Sequence, residues 1–116
     1  MIELKADANM REYQSYIYQL EKLHGWLDVD LVHNCFLMGE EMGELFKSIR
    51  RHQHYFDSSE SAAKTTTQES RAQVAEELVD VFNYLLAIAN RLEIDMEQAF
   101  RKKNQRNQSR KWSSSS

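Results

Sequence analysis

Proline is absent from the 116-residue sequence and glycine occurs three times. Helix-breaking chemistry is therefore scarce, while Glu, Gln, Leu, Ala, Lys and Arg are plentiful, and the composition predicts an all-α chain. No run of 18 apolar residues occurs, so no membrane-spanning helix and no membrane partner are expected. The N-terminus, MIELKADANMREY, lacks the basic start and apolar stretch of a secretion signal, which predicts a cytoplasmic protein. The lone Cys35 excludes an internal disulfide; set within HNCFLM, it is expected as a small core residue. The four histidines lack the Cys or acidic partners and the spacing of a zinc site.

What is present is charge, and it is segregated. Residues 101–111, RKKNQRNQSRK, carry six basic and no acidic side chains, leaving 9 basic against 18 acidic residues elsewhere, a balance of −9. A chain of this length is expected to fold as one domain, residues 1–112, followed by a disordered tail at 113–116.

Apolar spacing divides the domain. Tyr13, Tyr16, Ile17, Leu20, Leu23 and Leu27 recur every three or four residues, predicting a helix from an Asp7 N-cap to a Gly25 C-cap. A second stripe, Leu31, Cys35, Met38, Met42, Leu45 and Ile49, predicts a helix over Asp30–His52. Residues 57–70 are small and polar without apolar periodicity and are expected to form a mobile connection. Val74, Leu78, Val81, Leu85, Ala89 and Leu92 then predict a third helix over Ser70–Arg91. Asp95 is a good N-cap for a short fourth helix through Met96, Ala99 and Phe100.

Helix two holds EEMGE, with Glu40, Glu41 and Glu44, and helix three holds EELVD, with Glu76, Glu77 and Asp80. With about 100° of turn per residue, the pairs Glu41/Glu44 and Glu77/Asp80 lie on the same flank of their respective apolar stripes, offset by about the same angle. If the helices are antiparallel neighbours, all four carboxylates converge. Two carboxylates about 5 Å apart repel by roughly 3 kcal/mol at an effective dielectric near 20, so such a cluster beside an apolar core calls for a cation. Hard oxygen donors without a Cys or His cluster select Mg²⁺ or Mn²⁺, and Mg²⁺ commonly shares its coordination with substrate phosphates. A di-iron bundle would normally need Glu-x-x-His pairs, which neither motif contains. A helical binding protein using the basic segment on nucleic acid leaves the acidic motifs unexplained and opposes an acidic body to a polyanion. No nucleic-acid partner is therefore expected.

The EExxE at 40–44 followed by ExxD at 77–80 in a short all-α chain resembles the MazG family of nucleoside triphosphate pyrophosphohydrolases. The resemblance extends to DVFNYLL and to a KxxxNxxRxW pattern formed by Lys103, Asn107, Arg110 and Trp112, and covers roughly residues 13–112. It implies a four-helix-bundle-like fold of antiparallel helices and Mg²⁺-dependent hydrolysis of an NTP or dNTP to the monophosphate and pyrophosphate, in nucleotide-pool house-cleaning. By motif position it implies that Glu41, Glu44, Glu77 and Asp80 hold the metal. A phosphoribosyl-ATP pyrophosphatase of the same superfamily carries similar acidic motifs and stays open at this point.

Other residues fill out the expected site. Glu40, beside the cluster, is the candidate for orienting or deprotonating the attacking water. Lys103 and Arg110 could clamp phosphate oxygens and Asn107 could bond to phosphate or sugar, whereas Lys102 and Arg106 are expected in solvent. Tyr84, one turn after Asp80, is the first candidate for stacking on a base, with Trp26 and Tyr16 behind it. The expected substrate is a nucleoside triphosphate, a deoxynucleotide first. Aromatic residues on several helix faces, and the family resemblance, predict a homo-oligomer, a dimer or a dimer of dimers.

Overall fold

The structure, a computed structural model, describes residues 1–53 and 67–110. These form four helices and no strand: α1 (Met10–His24), α2 (Leu31–His52), α3 (Thr67–Arg91) and α4 (Met96–Ser109). The expected all-α fold is present.

Local chemistry sets most boundaries. α1 starts later than the Asp7 cap predicts, because Asn9 and Glu12 close a capping box: the Asn9 side chain accepts from Glu12 N–H at 3.0 Å, and Glu12 Oε1 accepts from Asn9 N–H at 3.1 Å. It ends as expected at Gly25, whose φ of 72° suits a residue without Cβ. Asp30 caps α2 by accepting from His33 N–H at 2.7 Å. α3 begins at Thr67, so the last four residues of the expected connection are helical; Ser70 is buried, with its Oγ 2.7 Å from His52 Nδ1. Residues 57–66 of that connection, like Trp112 and the expected tail, lie outside the described residues. α4 is not short. Capped by Asp95, it runs 14 residues through most of the basic segment, where Arg, Lys and Gln are good helix formers.

α2 and α3 run antiparallel side by side. His52 meets Ser70 at one end, Glu41 approaches Asp80 midway, and Asn34 and Ala87 border one cavity near the other end. α1 packs on the C-terminal half of α3, and α4 folds back onto the start of α1. Ile17, Leu86 and Ala87 form a small core, with Leu86 only 1% exposed, and Tyr16, Leu20, Phe82 and Met96 packed around it. Gln14 ties three elements together. Its Nε2 donates to Asn90 Oδ1 and Ile94 O at 3.1 and 2.9 Å, and its Oε1 accepts from Met96 N–H at 2.8 Å, which satisfies an orphan donor at the α4 N-terminus.

The expected apolar stripes are buried only in part, at Leu45 of α2 and Ala89 of α3. On α2 the buried residues are Asn34, Leu45 and Ser48, while Met42, Ile49 and Cys35 are exposed. On α3, Leu78 and Leu85 are exposed and Leu86, Ala87 and Ala89 are buried. Both helices turn the flank that bears the carboxylates toward the seam, and this rotation leaves part of each apolar stripe on the outside. Cys35, expected in the core, goes outward with its stripe.

Replacing Gln14 with alanine should lower unfolding free energy by about 2 kcal/mol, since it strands buried donors and acceptors. Urea denaturation followed by circular dichroism reads this as a lower midpoint at unchanged slope.

Candidate functional site

Glu77 and Asp80 sit one turn apart on α3 and face Glu41 of α2. One carboxylate oxygen from each of the three lies within 4.8 Å of the others. Gln73, one turn before Glu77, donates to Glu77 Oε1 at 2.8 Å and holds that side chain toward the seam. Burial, reinforced by the charges of Asp80 and Glu77 and by a hydrogen bond to Glu77, pushes the Glu41 carboxyl above its ordinary value. The fold thus holds like charges together without a counter-charge from a basic side chain among the described residues.

Glu44 is exposed and stands outside this trio, although its charge still reaches Glu41. Glu40 is also exposed and outside the trio; its charge is felt at Tyr84. Of the four carboxylates expected to converge, the single chain thus brings three together, and Glu44, one turn along α2, stays in solvent.

Two of the three carboxylates, Glu41 and Asp80, border a cavity of about 510 Å³. Glu41, Asp80, Asn83 and Tyr84 line it together with an apolar part made by Ile17, Leu20, Leu37 and Ala87, and with Trp26 and Val29 from the α1–α2 connection. Burial, then the charges of Glu41 and Asp80, raise the Tyr84 phenol, which stays a neutral hydroxyl beside the acidic group. Trp26 stacks on His24 with ring centroids 4.5 Å apart and remains 51% exposed. Tyr84 and Trp26, expected to meet a base, thus do border one cavity with two of the carboxylates. Tyr16 instead packs against the core.

The basic candidates lie elsewhere in the single chain. Lys103 and Arg110 line a separate hollow of about 290 Å³ with Arg106 and Ser109. Asn107 donates to Asn104 Oδ1 at 3.1 Å, and its own Oδ1 is buried without a hydrogen-bond partner among the described residues. None of the three borders the carboxylate cavity.

Sequence reading missed Glu21 and Asn34, which also line the cavity and are both buried. The available signal was position: Glu21 follows Ile17 by one turn on the buried face of α1, and a carboxylate there needs a partner. Asn83 is a half-buried amide on the cavity wall.

The family model of the MazG nucleotide pyrophosphohydrolase domain matches residues 34–113, which include nearly all of α2 and the whole of α3 and α4 and leave α1 outside. Comparison with curated proteins and with solved structures finds no match in either.

Glu41→Gln should raise the melting temperature of the EDTA-treated protein at neutral pH, since it removes one of three repelling charges. The Glu41 pKa is higher folded than unfolded, so the wild type pays for ionisation above that pKa and regains stability as pH falls through it toward 4.5. The advantage of the variant should therefore shrink on acidification, as differential scanning calorimetry across pH would record. Mg²⁺ in about hundredfold excess over its Kd should raise the wild-type melting temperature by about 10 °C and the variant's by much less.

Proposed function

The chain belongs to the MazG nucleotide pyrophosphohydrolase domain family, and from that premise we propose that it hydrolyses a nucleoside triphosphate, a deoxynucleotide first, to the monophosphate and pyrophosphate. The observation that carries this reading is one cavity lined both by carboxylates from two helices, Glu41 and Asp80, and by apolar and aromatic side chains that include Leu20, Leu37, Tyr84 and Trp26. A nucleotide has the matching polarity, with an anionic phosphate chain and a flat base.

Phosphates and carboxylates repel, so the acidic part suits a triphosphate only through a cation. The donor set fits one, with three oxygens of hard character close together and no nitrogen or sulfur donor in the group. Glu41, Glu77 and Asp80 would hold Mg²⁺, or Mn²⁺ in its place, with Glu44 as a further ligand by motif position. A divalent cation so bound supplies neutralisation of the phosphate charge and a water of lowered pKa. Glu40, on the same helix and exposed to solvent, would orient the attacking water or take its proton. The neutral Tyr84 hydroxyl and ring would bound the sugar and base, and the exposed face of Trp26 would stack on the base. Clearance of unwanted or excess nucleotides is the role this activity would serve.

Lys103, Asn107 and Arg110 would reach phosphates if a second copy brings its α4 to this cavity. The exposed apolar flank supports association. Phe36 is 69% exposed, Met42 and Phe46 lie on the same side of α2, and Leu78 of α3 is 51% exposed. Between them, Gly39 and Gly43 leave α2 open to close approach, since a Cβ at either would meet nothing within 4 Å among the described residues. A twofold dimer, or a dimer of dimers, is the geometry proposed.

Incubation with a panel of NTPs and dNTPs in Mg²⁺ should release pyrophosphate and monophosphate from at least one, and EDTA should stop it. Glu77→Gln and Asp80→Asn should each cut kcat by about a hundredfold or more with helical content retained. Orthophosphate with a diphosphate product would contradict the assignment.

Light scattering over a concentration series should return at least twice the 13.7 kDa chain mass. Phe46→Glu should shift the species toward the monomer. A fully active 13.7 kDa wild type would overturn the composite arrangement.

A further inference from the structure

Arg91, in the last turn of α3, spends all its donors at one place. Nε donates to Val29 O at 2.8 Å; Nη1 to Glu21 Oε1 and Ala87 O, both at 3.1 Å; Nη2 to Glu21 Oε2 at 2.7 Å and Trp26 O at 3.1 Å. A guanidinium has five N–H groups and all five are satisfied. The ion pair is well shielded, with the Arg91 and Glu21 side chains 15% and 9% exposed.

Two of these bonds go to backbone carbonyls of the short connection between α1 and α2. The other hydrogen bonds of that connection run between residues close in sequence. Trp26 N–H donates to Glu21 O at 2.8 Å, Val29 N–H to Trp26 O at 3.1 Å, and Asn34 Nδ2 reaches Val29 O at 3.1 Å and Asp30 O at 2.8 Å. Trp26 and Val29 are the residues this connection contributes to the cavity wall. Glu21 lines the cavity too, but its carboxylate is matched by Arg91, so it adds no net charge to the apolar part.

We infer that Arg91 is a positioning residue for substrate: through the carbonyls of Trp26 and Val29 it fixes the wall against which a flat, neutral base packs. The inference rests on the nucleotide reading of the cavity. It goes beyond family membership, because Glu21, Trp26 and Val29 all lie outside the matched residues 34–113. The physical basis is preorganisation. A wall already bonded to α3 need not be ordered when substrate arrives. Lysine keeps the charge beside Glu21 but offers one ammonium in place of a planar fork, and cannot span the carboxylate and both carbonyls.

The test compares full-length wild type with Arg91→Lys in steady-state kinetics on the best triphosphate of the panel. Amide hydrogen exchange and the Mg²⁺ midpoint are read alongside. KM should rise about tenfold, the scale of reordering a single backbone residue. kcat should stay within about threefold and the Mg²⁺ midpoint should not move. Exchange at the Trp26 and Val29 amides should quicken while that of Leu86 in the core does not. A wild-type KM in the folded variant would overturn the inference. So would faster exchange at all sites with kcat and KM both impaired, which would mark Arg91 as a stability element only. If Arg91→Lys does not fold, Asn34→Ala removes the other side-chain bond to Val29 O while leaving the Arg91–Glu21 pair. It should raise KM with the same local exchange signature, and a wild-type KM there would again overturn the inference. A wild type inactive on every triphosphate would count against the nucleotide reading alone. Exchange then decides the Arg91 proposal, and wild-type protection of Trp26 and Val29 in Arg91→Lys would refute it.

Discussion

Like charges pressed together at a helix seam are the constraint on which the rest of this structure depends. Glu41, Glu77 and Asp80 bring carboxylate oxygens within 4.8 Å of one another between α2 and α3. Such repulsion is tolerable in water but grows several-fold as the local dielectric falls. The surrounding structure is what holds the group in place. Leu45, Ser48 and Asn34 are buried on the same α2 face, and Ser70 meets His52 near the far end of the pair. The scaffold keeps these side chains together at a cost in stability.

That orientation has a consequence for the rest of the chain. Because α2 and α3 use their acid-bearing flanks to meet, neither buries the whole of its apolar stripe in the same contact. α1 covers part of α3 and α4 covers part of α1, which produces a small core around Ile17, Leu86 and Ala87. Phe36, Phe46, Leu78 and Leu85 stay outside. The polar seam and the exposed apolar flank are two faces of one choice: rotating the helices to bury the stripes would disperse the carboxylates.

The cavity is divided in the same spirit. Its acidic side comes from residues within the family match, and part of its apolar wall comes from α1 and the connection after it, outside that match. The two parts meet through Arg91, which belongs to α3 yet bonds to Glu21, Trp26 and Val29. One guanidinium therefore links the helix that bears Glu77 and Asp80 to the segment that bears Trp26. The basic hollow of Lys103, Arg106 and Arg110 on α4 remains apart from this cavity within a single chain.

Local chemistry was legible in the sequence because it acts over a few residues. The absence of proline, the Gly25 stop, the Asp30 and Asp95 caps and the three- to four-residue spacing determined an all-helical chain with nearly correct boundaries. The matching offsets of EEMGE and EELVD likewise determined that each helix carries its carboxylates on the same flank of its apolar stripe, since that geometry follows from helix pitch alone. Asn9 displaced Asp7 as the first cap because a glutamate stood three residues after it, a short-range signal available but not used. Which face of each helix turns inward was beyond local reading. Periodicity locates an apolar stripe without saying whether it meets the same chain or another, so Cys35, Met42 and Leu85 were assigned to a core they do not enter. Only the tertiary structure decided that Glu44 stands outside the trio, that Glu21 is buried against Arg91 some 70 residues away, and that Trp26 and Tyr84 share a cavity. Each depends on how helices distant in sequence rotate against one another, and helix pitch does not encode that rotation.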